Sequence, residues 1–547
     1  MHEVIHLSLS PISNHLNSHF YNAQESYFVY SDSEVADSKV DPTVRFQQGI
    51  GYTPRALVWD FQGGFGALKQ YSGAYSDNNS SIPSRDIWEG GEPDRIARKQ
   101  VTTSEYQKSL DSGNLTDPKL NKTNTLYWSD YIRVDYHPKS KLVLKDWEYD
   151  PIRYPKGRPR GSGESDPTPS SPTSASTASF NGYDIGISQW NQIQAENDKE
   201  YLDRSFRPIL EQCDSLDGLV ISTDVDSAWG GFTECMLSDI IDDYCPKVPR
   251  FVWGLYDQDL NGKKLSIYDT MSRIKSTAGL IENSTLFVPL SLPKLDQFPA
   301  ELSKQIGLPL TTWQKTALYN MVYEPMSVLS SLRGNSRVSM STLANSLTNG
   351  AEERKVVTAV SATSSLPLID FSTVLTMPSL TPRKKVRAAR YFSKYAVVRL
   401  PKPTPSLKPA VNNYGIVDLK SGASPWDFVD QVAKIDSNRT DLLEKYFDKQ
   451  QLLDQGTLER NLSELKQEDF QFAQPSSFPS GIITGTDSLY SSFSITTEAG
   501  STLTDMANFV SRFDRGSDER EQLKDTLSTM SEGYSWGYEF DSDTSDD

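Results

Sequence analysis

The feature that most constrains this chain is a strand, a glycine turn and a helix in direct succession. The apolar run Leu219-Val220-Ile221 leads into a turn holding Gly230-Gly231, and Phe232, Cys235, Met236, Ile240 and Tyr244 then share one helical face. Such a unit belongs to an α/β sheet and can hold a phosphate on backbone amides at a helix N-terminus. Here, however, Asp224 and Asp226 stand where a phosphate cradle uses bare amides. Two like charges about 4 Å apart repel by about 1 kcal/mol in water and by several times that in a partly buried site. The turn is therefore expected to be a fold-defining element without its ligand. The alternative is a site bridged by a cation held on Asp60, Asp224 and Asp226.

The rest of the chain repeats this alternation. Glu3 to Leu9 reads as a strand, and Ser10-Pro11 caps and starts a helix over 11–28 with Leu16, Phe20, Ala23 and Tyr27 in phase. Arg55 to Phe61 is a second buried strand that ends in Gln62-Gly63-Gly64. Further strands are expected at 251–256, 286–288, 395–400 and 481–483. Helices are expected over 188–211 with a restart at Pro208, over 313–332, near 442–452 and over 503–513. The aromatic and charged stretch from Tyr127 to His137 reads as a packed loop that plugs a core, with a binding surface as the alternative.

This order predicts an α/β fold, a parallel sheet flanked by helices and followed by an α+β second domain. The first domain spans 1–256, with a polar insertion at 72–125 carrying one helix and a low-complexity segment at 157–179 expected to be disordered. An intermediate α+β region follows over 257–400, then a helical and mixed region over 401–515. Residues 516–547 are expected to form an acidic, largely disordered tail.

Charge narrows the function classes. The 547 residues carry 55 Lys and Arg against 72 Asp and Glu, a net charge of −17, which argues against direct nucleic-acid binding through the phosphate backbone. One basic run, Arg383, Lys384, Lys385, Arg387 and Arg390, is expected to be a solvated helix face, with contact to anionic lipid or nucleic acid as the alternative. The three cysteines, Cys213, Cys235 and Cys245, suit free thiols in a reducing compartment. His15 and His19, at helical spacing i, i+4, could hold a metal, but without a third ligand they are expected to be surface or half-buried helix residues. No metal site is expected, and no Ser-His-Asp order, HExxH or Walker pattern points to a catalytic residue. The first residues read as a strand rather than a signal peptide, and no apolar run is long enough for a membrane span.

Three segments in order resemble the tubulin/FtsZ superfamily: Glu3-Val4-Ile5-His6 with Asn14, Tyr52 to Asp60, and Leu219 to Pro246. The stretches YWSDYIRVDYHPKS at 127–140 and QPSSFP at 474–479 resemble the Misato family, fungal members in particular. The resemblance implies a tubulin-like fold and a role in mitochondrial inheritance, distribution and morphology and in partitioning mitochondrial DNA. It implies a cytosol-facing mitochondrial and cytoplasmic location, with unidentified protein partners on mitochondria or the cytoskeleton and peripheral membrane contact. It implies no established enzymatic activity.

The positions that would match a tubulin nucleotide site are Ser10, Asn14, Asp60, Gln62, Gly63, Asp224, Asp226, Gly230 and Gly231. Where tubulins have glycine and glutamine in the first loop, this chain has Ser10 and Pro11, and Gln62 replaces the acid that tubulins use near magnesium. Side chains at lost glycines occupy the space where backbone meets phosphate. The site is therefore expected to be vestigial, with no cofactor and no GTPase activity. A divergent GTP- and Mg-binding switch is the alternative.

Overall fold

In a computed structural model the described residues are 2–28, 39–49, 51–68, 101–113, 119–159, 179–197, 200–256, 265–293, 298, 300–364, 369–371, 391–399, 463–468, 472–483, 489–513 and 518–535. The first unit contains strand β1 (Glu3–Leu9), helix α1 (Pro11–Glu25), β2 (Phe46–Gln48), β3 (Tyr52–Pro54), β4 (Ala56–Gln62), α2 (Glu105–Asp111), β5 (Lys141–Asp150) and β6 (Tyr154–Pro159). It continues with α3 (Tyr183–Glu196), α4 (Tyr201–Ser205), α5 (Arg207–Leu210), β7 (Leu216–Asp224), α6 (Trp229–Asp243), β8 (Arg250–Leu255), α7 (Ile267–Glu282) and β9 (Leu286–Leu290). Helices α8 (Ala300–Ile306), α9 (Thr312–Val328) and α10 (Met340–Thr348) lead to β10 (Ala359–Thr363), β11 (Ile369–Asp370), β12 (Tyr391–Arg399), β13 (Ser463–Glu468) and β14 (Leu489–Thr496). Two helices close the chain, α11 (Glu498–Phe513) and α12 (Asp518–Glu532).

The main sheet has seven strands in the order β6-β5-β4-β1-β7-β8-β9, all parallel except the edge strand β6. This is the doubly wound order, which reverses direction at β1 and β7. The crevice at that switch point, beyond the carboxyl ends of the strands, is where such sheets hold ligands. Strand alternation sorts β4 onto two helical layers. Trp59 and Phe61 face the layer of α3 and α6, meeting Trp190, Phe232 and Trp229, while Asp60 faces α1. The second sheet, β11-β10-β14-β12-β13, is antiparallel except for the β12–β13 pair. One apolar core runs through both sheets. Helix α9 lies between them: Tyr323 reaches His6 and Trp253 of the main sheet, and Glu324 pairs with Arg399 of β12.

Several expectations are corrected. Helix α6 starts at Trp229, three residues before Phe232. The 188–211 segment is divided among α3, which begins earlier at Tyr183, and the short helices α4 and α5, with Pro208 inside the first turn of the last. Residues 157–159 belong to β6, and 160–178 lie outside the described residues. Residues 481–483 form a turn, with Gly481 at φ 89°, not a strand. Of the expected acidic tail, 518–535 are folded and 516–517 and 536–547 lie outside the described residues: α12 packs on α11, Leu527 is buried, and the Tyr534 hydroxyl accepts the Val356 amide at 2.8 Å. Acidic composition masked an apolar stripe of Leu523, Leu527 and Met530 at helical spacing. The run Arg383, Lys384, Lys385, Arg387, Arg390 and the helix near 442–452 lie outside the described residues. Among those described, no helix is long and apolar enough to cross a membrane.

Candidate functional site

The loop after β1 carries Ser10 and Asn14. Ser10 is fully buried and sits at φ 125°, a backbone region that L-residues with a Cβ enter at a cost of about 1–2 kcal/mol. Its hydroxyl accepts the Ser13 amide at 3.2 Å and donates to Ser13 Oγ at 2.8 Å, so it caps α1. Pro11 brings no amide to the first turn. Asn14 is spent on the sheet: Nδ2 donates to Asp60 Oδ2 and to the Trp59 carbonyl, both at 2.9 Å, and Oδ1 accepts the Ser8 hydroxyl at 2.6 Å.

The end of β4 carries Asp60, Gln62 and Gly63. Asp60 is fully buried, and three donors converge on it: Asn14 Nδ2 at 2.9 Å, Trp128 Nε1 at 2.8 Å and its neighbour's amide, Phe61 N, at 2.8 Å. They do for the carboxylate what a cation would otherwise do. Desolvation outweighs them and pushes the carboxyl up to about 7. Gly64 closes the remaining side, since a Cβ there would stand 2.0 Å from Asp60 Oδ1. Gln62 is half-buried and Gly63 exposed, outside this enclosure. Trp128 comes from the YWSDY stretch, where Trp128, Tyr131, Ile132, Val134 and Tyr136 are all buried, as the packed-loop reading expects.

The turn between β7 and α6 uses its own amides. Val225 N donates to the Leu255 carbonyl, Asp226 N to Asp224 Oδ1, Trp229 N to Ser227 Oγ, Gly230 N to the Ser227 carbonyl and Phe232 N to the Ala228 carbonyl. Ala228 N donates to the Phe180 carbonyl at 3.3 Å, and the buried Phe180 ring packs on Trp229, Phe61 and Trp147. The two surviving glycines serve helix packing. A Cβ on Gly230 would stand 2.4 Å from Ser276 Oγ of α7, and one on Gly231 2.3 Å from the Tyr183 carbonyl oxygen of α3. The expected repulsion at Asp226 is answered within the chain. Arg273 of α7 donates Nε to Oδ1 at 2.6 Å and Nη2 to Oδ2 at 2.7 Å. Sequence reasoning missed this arginine, 47 residues away. Its one signal was a charge in the buried phase of α7, between Ser272 and Ile274.

The residues at the crevice therefore do not fit a nucleotide phosphate. Six amides of the turn, those of Val225, Asp226, Ala228, Trp229, Gly230 and Phe232, are hydrogen-bonded within the chain, Asp60 is enclosed, and the rings of Trp128, Phe180 and Trp229 are buried beside them. Nor does the structure bring Asp60, Asp224 and Asp226 together around a cation: among the described residues no three His, Cys, Asp or Glu are grouped as metal ligands.

His15 and His19 are fully buried rather than at the surface. His15 Nδ1 bonds Tyr131 Oη at 2.7 Å, and His19 Nε2 bonds the Trp313 carbonyl at 2.9 Å. The two stretches singled out in the sequence meet here. Asn22 Nδ2 donates to the Tyr131 carbonyl and to Ser477 Oγ, both at 2.9 Å, and Trp313 Nε1 donates to the Ser477 carbonyl at 3.1 Å. Residues 127–138 and 474–479 thus clamp α1, whose residues Ser13 to Gln24 are all buried. Burial holds His15 down to about 3 and His19 to about 4, so both are neutral in the fold and unfolding takes up protons below about pH 6.5. The stability these neutral rings contribute is complete above about pH 6.5 and is lost as pH falls toward their folded values. Replacing both by Gln is expected to flatten the acid limb of the unfolding free energy, measured by urea titration, by up to about 1.36 kcal/mol per pH unit for each ring. An unchanged limb would mean the rings are charged in the fold. The three cysteines are free thiols, and burial pushes Cys235 up to about 12.

Comparison with known proteins agrees with the tubulin-like fold. Residues 2–112 match the Misato Segment II tubulin-like domain, and residues 171–332 match a tubulin domain. The chain is 29% identical to the protein named DML1 of Yarrowia lipolytica over 555 aligned positions, covering 100% of both chains. It is 32% identical to dml1 of Aspergillus niger over 61% of this chain and 62% of that relative, and 35% identical to DML1 of Gibberella zeae over 54% of each.

Proposed function

This chain belongs to the Misato family of tubulin-like proteins, and on that footing we propose that it acts as a non-enzymatic, tubulin-like scaffold in mitochondrial inheritance. Mitochondrial distribution and morphology, and the partitioning of mitochondrial DNA, belong to the same role. The chain works peripherally, on the cytosol-facing side of mitochondria and in the cytoplasm, through protein partners. The observation that carries the non-enzymatic reading is the self-filled crevice, with Trp128 on Asp60 and the Phe180 carbonyl on the Ala228 amide. Phosphoryl transfer depends on positioning the phosphates and a metal, and here six amides of the β7–α6 turn are already hydrogen-bonded within the chain and the Asp60 carboxylate is enclosed.

Calorimetric titration of the full chain with GTP, GDP and ATP in Mg²⁺ tests the reading. No heat of binding is expected with any of the three. Micromolar binding of GTP that disappears in Asp60→Ala would overturn it in favour of a divergent switch. The location is tested by fractionation. The protein is expected in the mitochondrial fraction, digested by protease added outside intact organelles; recovery in the matrix would refute the cytosol-facing placement.

A further inference from the structure

Arg273 is held rigidly at the edge of the crevice. Its side chain is 8% exposed, and its fork meets both oxygens of Asp226 at 2.6 and 2.7 Å. Its guanidinium carbon lies 5.4 Å from the centroid of the Tyr256 ring, and the Tyr256 hydroxyl is pinned to Thr277 Oγ1 at 2.8 Å. A planar, stacked, two-pronged arginine of this kind recognises carboxylate and phosphate alike. The turn does not need the Asp226 carboxylate for its shape. Asp224 Oδ1 holds the Asp226 amide, Ser227 Oγ donates to the Asp224 carbonyl, and the same hydroxyl oxygen accepts the Trp229 amide. The carboxylate is therefore a separable occupant of a site that the rest of the fold builds.

We propose that Arg273 forms an oxyanion-binding site at the edge of the crevice and that Asp226 is its built-in ligand. This rests on the reading that the crevice takes no nucleotide. An external oxyanion enters only where Asp226 withdraws, so the latch of the turn onto α7 and the occupancy of the site exclude each other.

Chemical rescue tests this in the full chain. Asp226→Ala is expected to lower the Tm, and added inorganic phosphate or acetate, at ionic strength matched with NaCl, is expected to raise it again by more than in the wild type. Stronger rescue by phosphate identifies a phosphoryl group as the external ligand class; stronger rescue by acetate identifies a carboxylate. The double variant Asp226→Ala, Arg273→Gln is expected to lose the rescue. Asp226→Ser, whose shorter side chain also leaves the Arg273 fork open, supplies the same readout if the alanine variant does not fold. Rescue no larger than in the wild type, or undiminished in the double variant, overturns the proposal. Wild-type GTP binding would refute the nucleotide-free reading instead, and that outcome is read in a separate titration.

Discussion

Trp128→Ala is expected to cost about 4 kcal/mol of unfolding free energy, a whole buried indole plus the cavity it leaves. Trp128 is 1% exposed, packs edge-on against Phe65 and Tyr136, and gives Asp60 one of its three donors. Trp128→Phe keeps most of the packing and removes only the donor, so its cost should be about 2 kcal/mol, the scale of a buried hydrogen bond to a charged group. The two are separated by pH. The Asp60 carboxyl is held at about 7 in the fold, mainly by burial, against an ordinary value of about 3.8. A raised carboxyl contributes stability that is complete below the unfolded value and is lost as pH climbs through the folded value. Removing a donor that favours the charged form raises the folded value further. The penalty of Trp128→Phe should therefore be larger at about pH 8.5 than at about pH 5.5. Urea unfolding at the two pH values measures it; equal penalties would show that Trp128 acts on Asp60 through packing alone.

The strands at the crevice were legible because periodicity survives whatever the loops do. β1, β4, β7 and β8 follow apolar runs that any buried parallel strand must have. Departures from the motif at Ser10, Gln62 and Asp226 were legible too, since Ser10 and Asp226 put side chains where a phosphate loop wants backbone and Gln62 stands where an acid is expected. What replaced the ligand was not. The donors that satisfy Asp60 and Asp226 come from Trp128 and Arg273, 68 and 47 residues away, and nothing local marks them as partners. Helix α1 was misjudged for a related reason. His15 and His19 were expected at the surface or half-buried, yet they and the neighbouring Asn17 and Asn22 are all buried and bonded. A helix enclosed between a sheet, α9 and two clamping loops has no solvent side for amphipathicity to report.

The same logic governs the joint between the two sheets, where the second large effect is expected. Glu324 of α9 and Arg399 of β12 are both fully buried and meet at 2.7 Å, and the Tyr27 hydroxyl donates to the same carboxylate oxygen at 3.0 Å. Burial raises the Glu324 carboxyl and the arginine opposes it. Glu324→Ala leaves a buried guanidinium without its carboxylate, and the expected cost is about 3–5 kcal/mol. Replacing both partners together, Glu324→Leu with Arg399→Met, removes the desolvation of both charges and should recover most of that loss. The location of the damage matters as much as its size. Amide exchange in Glu324→Ala should quicken in β12 and β14, which the pair anchors to α9, and stay slow in β1 and β7, whose core lies beyond it. If the double substitution is as unstable as the single one, the pair is not what holds the second sheet. If exchange rises equally in both sheets, the two unfold as one cooperative unit and α9 is their shared spine.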